Sequence, residues 1–327
     1  MSDAYMLLSY GGPDKPSDVV PFLRNAVAGK GIPDERLEEV GEHYFLFGGK
    51  SPINELNFQL AQRIRDELAA RGDHTPVIVG NRNWHPYGNE ALEELYSQGA
   101  RHIRAIATAA YGSYSSCRQY REDVARWLGD LEYPDLRVDK VRPFWETSGF
   151  MEAYLDVVRK AREQAAPHAR VLFVTHSIPT AMDRASGRAL NLTYEQQHLE
   201  VARTITRELD ITDWDMTYCS RSGSPHTPWL EPDVNDHIEE LAERSVSAVL
   251  IVPIGFISDH MEVIYDLDTQ AKETCEALGI EHYRADTIDH SPVFVQQLAD
   301  LFQGEGEISC PSTCCWASDS APALAAI

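Results

Sequence analysis

Along this chain, short apolar runs alternate with longer segments in which apolar residues recur at three- and four-residue steps. The runs at 4–10, 76–80, 103–109 and 136–142 predict strands in the first half. Those at 171–175, 214–219, 248–253 and 280–284 predict strands in the second. Amphipathic helices are expected between them at 54–71, 89–98, 117–128, 150–164, 194–209, 233–243 and 258–278, with a closing helix at 291–302. Apolar strands spaced by helices belong to parallel sheets covered on both faces. The expected fold is α/β, with two similar doubly wound, Rossmann-like domains and a cleft between them. Residues 1–145 would form the first and 146–290 the second, with the helix at 291–303 packing back on the first and 304–327 left as a tail. The sequence carries no visible repeat, so this duplication rests on element order alone.

The pattern is most informative between Ala248 and Gly279. An apolar strand leads through a turn at Gly255 into a helix with Met261, Ile264, Leu267, Ala271, Cys275 and Leu278 on one face. Asp259, Glu262 and Asp266 fall on another face, just past the carboxyl end of a strand, where open α/β sheets place their chemistry. Acids also favour the first turn of any helix because of its dipole, so position alone does not decide their role. Other strand ends carry Ser9-Tyr10-Gly11-Gly12-Pro13, Asn81-Arg82-Asn83-Trp84-His85-Pro86, Tyr111 to Cys117, and Thr175-His176-Ser177. Together they describe one large site, rich in aromatic rings and poor in ionisable groups. At equivalent strand ends, His176 and Glu262 make a candidate metal-binding or proton-transfer couple.

Composition narrows the partners. The 327 residues, 43% of them hydrophobic, suffice for a large core. A net charge of -22 argues against nucleic acid or an anionic membrane as partner. No apolar run approaches the roughly 18 residues of a membrane span. The start Met1-Ser2-Asp3-Ala4 lacks the basic-then-apolar pattern of a secretory signal. A soluble, cytoplasmic protein is expected, with a monomer as the default. In a reducing compartment its six cysteines do not read as a disulfide framework. There is no G-x-G-x-x-G after a strand and no G-x-x-x-x-G-K-[ST], so phosphate cradling has no support. Thr175-His176-Ser177 lacks the glycines of a nucleophile elbow.

Several segments are more specific. The Ser9 to Pro13 turn, Gly48 to Asn54, Thr175 to Pro179, Ser220 to Gly223 with Pro228 to Pro232, and Pro253 to Asp266 resemble the ferrochelatase family, in the family's order and across nearly the whole chain. The stretch from Tyr111 to Tyr120 and the cysteine tail resemble its Gram-positive branch, whose usual substrate is coproporphyrin III. The resemblance implies a chelatase-type version of the fold with the porphyrin in the cleft. It implies a lyase of haem biosynthesis that inserts Fe²⁺, its metal substrate, to give coprohaem III. On this likeness His176 and Glu262 face the porphyrin centre as catalytic and iron-binding residues, and Tyr10 stands on the opposite side. Ser51 and Tyr120 hold the tetrapyrrole, Arg82 lies near the metal route, and Asp266 continues a row of acids for incoming metal or outgoing protons. The third acid of that row is replaced by Gln270. Protoporphyrin IX is the alternative substrate, and a tetrapyrrole carrier or redox sensor the alternative class. The His176–Glu262 pair favours the enzyme, because a carrier needs only an axial ligand. Transient contact with other haem-pathway enzymes fits the same reading.

The tail Cys310-Pro311-Ser312-Thr313-Cys314-Cys315 does not have the C-x-x-C spacing of structural zinc. Gram-positive members with such tails hold a [2Fe–2S] cluster with one internal cysteine as well. The resemblance therefore implies ligation by Cys117, Cys310, Cys314 and Cys315, the four thiolates such a cluster takes. Cys219 and Cys275 read as core residues. The apolar patch Tyr44-Phe45-Leu46-Phe47 reads either as a lip over the cleft or as ordinary core.

Overall fold

The apolar runs form eight strands among the residues described by the computed structural model, which are 2–29, 31–222, 226–304, 310 and 314–316. Gly223 and most of the expected tail, residues 305–309, 311–313 and 317–327, lie outside the described residues. The strands pair in two parallel sheets. In the first, β1 (Ala4–Ser9) lies between β2 (Val77–Asn81) and β3 (His102–Ala107), with β4 (Arg137–Lys140) beyond β3. In the second, β5 (Arg170–His176) lies between β6 (Trp214–Cys219) and β7 (Ala248–Val252), with β8 (Glu281–Arg284) beyond β7. Both sheets thus have one order, with the first strand of each flanked by its second and third. Every residue of β1 and β7 is buried, as covering both faces of a sheet demands.

Strand order reverses on either side of β1 and of β5, and such a switch point opens a crevice beyond the carboxyl ends of the strands. Tyr10 follows β1, His176 ends β5, and Glu262 follows β7, so both crevices receive residues singled out in the sequence.

Helices cover the sheets: α1 (Val19–Ala26), α2 (Asp34–Phe45), α3 (Ile53–Ala70), α4 (Gly88–Ser97), α5 (Gln119–Leu131), α6 (Ser148–Gln164), α7 (Thr180–Arg184), α8 (Tyr194–Glu208), α9 (Val234–Glu243), α10 (Met261–Val263), α11 (Ala271–Leu278) and α12 (Pro292–Phe302). The hydrophobic pattern did not predict α1, α2 or α7. α1 contains Pro21, α2 is half charged with Gly41 inside it, and α7 is barely longer than one turn; each blurs a helical signal. The helix expected at 258–278 also differs. It starts at Met261, widens into a π-helix over Ile264–Gln270, and ends at Gly279, whose φ of +71° makes the left-handed cap.

The final helix, α12, returns to the first sheet and packs against α3 and α6. Phe302 stacks on Tyr5 with ring centroids 4.8 Å apart. The buried Arg104 of β3 donates through Nε to the Leu301 carbonyl at 2.7 Å. One continuous core runs from Leu7 and Ile64 through Phe150, Tyr154 and Phe294 to Phe173 and Leu250, joining the two sheets.

Candidate active site

β5 runs through the buried residues Val171–Thr175 and ends in the half-buried His176, and the Ser177 N–H still bonds to the Cys219 carbonyl of β6. The imidazole Nδ1 meets the Ser177 carbonyl at 2.5 Å, so Nδ1 carries the proton and Nε2 is aimed outward. Nε2 stands 3.6 Å from a Glu262 carboxylate oxygen. The two side chains keep 35% and 46% of their surface open, enough to meet a ligand. Burial draws the His176 pKa down, but Glu262, the Ser177 carbonyl and Asp266 together outweigh it and leave the value raised. His260 lies close enough to feel both Glu262 and His176, and burial lowers its pKa.

Asp259, Glu262 and Asp266 diverge. Asp259 pairs with Arg284 at 2.8 Å, and the same guanidinium reaches Asp268 at 2.6 Å, which makes this trio scaffold. Asp266 instead accepts a short hydrogen bond from the Ser220 hydroxyl. Burial pushes the Asp266 carboxyl up to about 6, with Ser220 opposing and the charge of Glu262 adding to the rise. Ser220 holds a left-handed backbone, φ +59°, at the end of β6. Beside it Cys219, expected to be plain core, is indeed buried but also lies against this acid, and burial followed by Asp266 raises its thiol pKa well above the usual value.

The first sheet brings a second set of residues toward Glu262. Tyr10 is 39% exposed and meets Phe22 edge-on at 6.1 Å; its hydroxyl pKa is raised by burial of the oxygen and then by the charge of Glu262. Gly11 has φ +78°, and a Cβ there would lie 2.9 Å from the Cβ of Asn81. Only glycine fits that turn. Ser51 is buried under Gly12, its backbone N–H bonded to the Pro13 carbonyl. Arg82 pairs with Asp123 at 2.7 Å and sits 5.0 Å above the ring of Tyr120, whose pKa burial pushes up to about 12. α2 supplies two residues that sequence reasoning did not assign. Tyr44 is buried and shaped electrostatically by Glu262 and Tyr10, while His43 stacks on Tyr265 of the π-helix at 4.0 Å. The patch at 44–47 therefore divides: Tyr44 is buried, whereas Phe45, Leu46 and Phe47 are exposed.

The four expected cluster cysteines are neighbours. Cys314 and Cys315 have sulfurs 3.5 Å apart, and Cys117 acts electrostatically on Cys310 and Cys315. Mutual hydrogen bonds among these thiols lower the pKa of Cys314 and raise those of Cys310 and Cys315. Lys140 Nζ donates to Cys117 at 3.3 Å, and the Gly187 N–H to Cys315 at 3.4 Å. Among the described residues, no group of three or more His, Cys, Asp and Glu side chains is arranged to hold a metal ion. No helix among them is long and apolar enough to cross a membrane.

Comparison with known proteins places these residues in context. The family pattern described as ferrochelatase matches residues 2–305. The coproporphyrin III ferrochelatase of Streptomyces coelicolor is 49% identical over 315 residues, covering 91% of this chain and 84% of the relative. That of Streptomyces griseus subsp. griseus is 44% identical, covering 99% of this chain and 96% of the relative. That of Leifsonia xyli subsp. xyli is 46% identical, with 91% and 82% covered. Among solved structures, SirB from Bacillus subtilis with Fe³⁺ superposes with a TM-score of 0.56 at 14% identity, covering 94% of this chain and all of that one. CbiX, the terminal enzyme for biosynthesis of sirohaem in denitrifying bacteria, gives a TM-score of 0.50 at 12% identity, covering 93% of this chain and all of that one. These likenesses establish the chelatase-type fold.

Proposed function

The chain belongs to the ferrochelatase family, and on that premise we propose that it inserts Fe²⁺ into coproporphyrin III. The observation that carries this reading is the imidazole and carboxylate of His176 and Glu262, 3.6 Å apart, with Tyr10 of the first sheet's side close enough to feel that carboxylate's charge. A flat macrocycle between these residues has a nitrogen and oxygen donor pair on one face and a phenol on the other.

The overall change is one Fe²⁺ gained and two pyrrole protons lost, with no electron transferred. The outward Nε2 of His176 is a lone-pair donor suited to a pyrrole proton or to iron, and Glu262 adds a hard oxygen beside it. Asp266, with its pKa near 6, is placed to take a proton onward from Glu262. Tyr10, Tyr120 with Arg82, and Ser51 line the tetrapyrrole's side, and binding energy there can be applied to bending the ring toward the metalated geometry. Residues 1–145 and 146–290 are read as the two chelatase-like units, and the setting as cytoplasmic haem biosynthesis by a monomer.

An anaerobic assay with coproporphyrin III and protoporphyrin IX tests this. The first substrate should be metalated faster, and His176→Ala should lower kcat by about 100-fold or more, the range of a lost acid–base group. Faster turnover of protoporphyrin overturns the substrate, and full activity in the variant overturns the site.

The thiols of Cys117, Cys310, Cys314 and Cys315 are our candidate ligands of a [2Fe–2S] cluster. Such a cluster spreads four thiolates over two irons, two on each, so adjacent pairs matter more than one shared centre. The 3.5 Å between the Cys314 and Cys315 sulfurs and donation to sulfur from Lys140 and Gly187 support that donor set. When bound, it would supply one-electron redox capacity, which metal insertion does not use. Anaerobically purified protein should show charge-transfer absorption and acid-labile sulfide, and Cys117→Ser should abolish both; a colourless wild-type protein would refute the ligation.

A further inference from the structure

Behind His176 lies a buried polar chain that the chemistry above does not use. The Tyr194 hydroxyl is 2.7 Å from Thr175 Oγ1 and 3.2 Å from the carbonyl of His176. Thr175 Oγ1 is 2.9 Å from His198 Nε2, and His198 Nδ1 is 2.8 Å from the Tyr194 carbonyl. Thr175 and His198 are fully buried and Tyr194 nearly so. A carbonyl only accepts, so His198 Nδ1 carries the proton and Nε2 is a bare acceptor. The Thr175 hydroxyl must then donate to Nε2, so the single Tyr194 hydroxyl hydrogen is directed at Thr175 Oγ1, with the His176 carbonyl at 3.2 Å a second, longer acceptor sharing it. The order Tyr194 to Thr175 to His198 follows from a neutral His198; burial, which pulls its pKa down to about 3, keeps it so. Tyr111, from the first sheet's side, stacks on the His198 ring at 3.5 Å and closes the chain off.

The same threonine touches the other catalytic strand. A Cβ built on Gly255 would fall 2.0 Å from Thr175 Oγ1, so that hydroxyl occupies the space beside the β7 turn that leads to Glu262. The Gly255 N–H also bonds to the Val174 carbonyl at 3.2 Å. One side chain therefore contacts both strand ends whose residues form the reacting pair.

We propose that Thr175, Tyr194 and His198 are positioning residues which set the separation of His176 and Glu262 through a directed hydrogen-bond chain beneath them. The proposal rests on the assignment of His176 and Glu262 as the reacting pair. Its substance is that the hydroxyls of Thr175 and Tyr194 act on turnover and leave porphyrin binding alone, because none of the three lines the cleft.

Thr175→Val and Tyr194→Phe remove one hydroxyl each at nearly constant shape, and Thr175→Ser restores it. Each is compared with wild type for kcat and KM in anaerobic metalation, for porphyrin affinity by absorbance titration, and for thermal midpoint. Expected are a 10- to 100-fold fall in kcat for Val and Phe, the cost of a displacement below about 1 Å at a reacting centre, with affinity within about twofold of wild type. Thr175→Ser should recover most of kcat. Unchanged kcat in both variants, loss of affinity in parallel with kcat, or failure of serine to rescue overturns the proposal. If Thr175→Val does not fold, Tyr194→Phe, which keeps the ring, decides the matter by the same criteria. Wild-type protein that metalates no porphyrin refutes the underlying reading, whereas an active wild type with unaffected variants refutes the positioning alone.

Discussion

Asp266 shows how one residue can serve function against stability. Burial and the neighbouring Glu262 hold its carboxyl near 6, above the ordinary aspartate value of 3.8. A carboxyl raised on folding favours the folded state most below pH 3.8, and that advantage is lost as pH climbs toward 6. At pH 7 the ionised group is thus a net cost, and it is also the form able to accept a proton. Asp266→Asn should therefore stabilise the protein at pH 7 by about 1 kcal/mol, the linkage being reduced by partial solvent screening, as read from urea unfolding. It should also lower kcat/KM and remove the acid limb near pH 6; a wild-type pH profile in this variant would deny Asp266 any part in proton transfer. The sequence placed Asp266 and Glu262 correctly at a strand end. It could not separate them from Asp259, because the separation depends on Arg284, which comes from β8 and is remote in sequence. Ser220 was legible as part of a motif, but its left-handed backbone and its bond to Asp266 were not.

At the level of elements, strands were the most legible because parallel strands buried on both faces read as unbroken apolar runs. The π-helix over Ile264–Gln270 was not, since Met261, Ile264, Leu267, Ala271 and Cys275 also satisfy an ordinary helical period. Glu262 precedes the π-helix and Asp266 lies within it, four residues on, a spacing that keeps the two acids on one side as an ordinary helix would. Nor could spacing reveal the Thr175–Tyr194–His198 chain, which is assembled from β5 and α8 and capped by a tyrosine from the other sheet. The turn after β7 gives a direct test of how closely these elements meet. Gly255→Ala would drive a methyl group into Thr175 and force the strand ends apart. It should lower both the thermal midpoint and kcat, with a stability loss of about 1–3 kcal/mol typical of overpacking. Wild-type values for both would mean that the turn has room to move.

On the scale of the whole molecule, the matching strand orders of the two sheets make the duplication evident in topology where the sequence shows no repeat. The two halves nevertheless share one core, and α12 is the element that joins the end of the chain to its beginning. Phe302 stacks on a residue of the first strand, and the Leu301 carbonyl satisfies the buried guanidinium of Arg104. A chain ending at residue 290 lacks both contacts and bares the apolar surface of α3 and α6 that α12 covers, a strongly destabilising change. Such a truncation should be degraded by a protease concentration that leaves the full chain intact; equal resistance would show that the first sheet stands without α12. During synthesis, the four strands of the first sheet emerge long before α12, and their core is not sealed until that helix clears the ribosome. For most of translation the nascent chain must be kept from aggregating, so the arrangement that unites the finished protein also delays its birth.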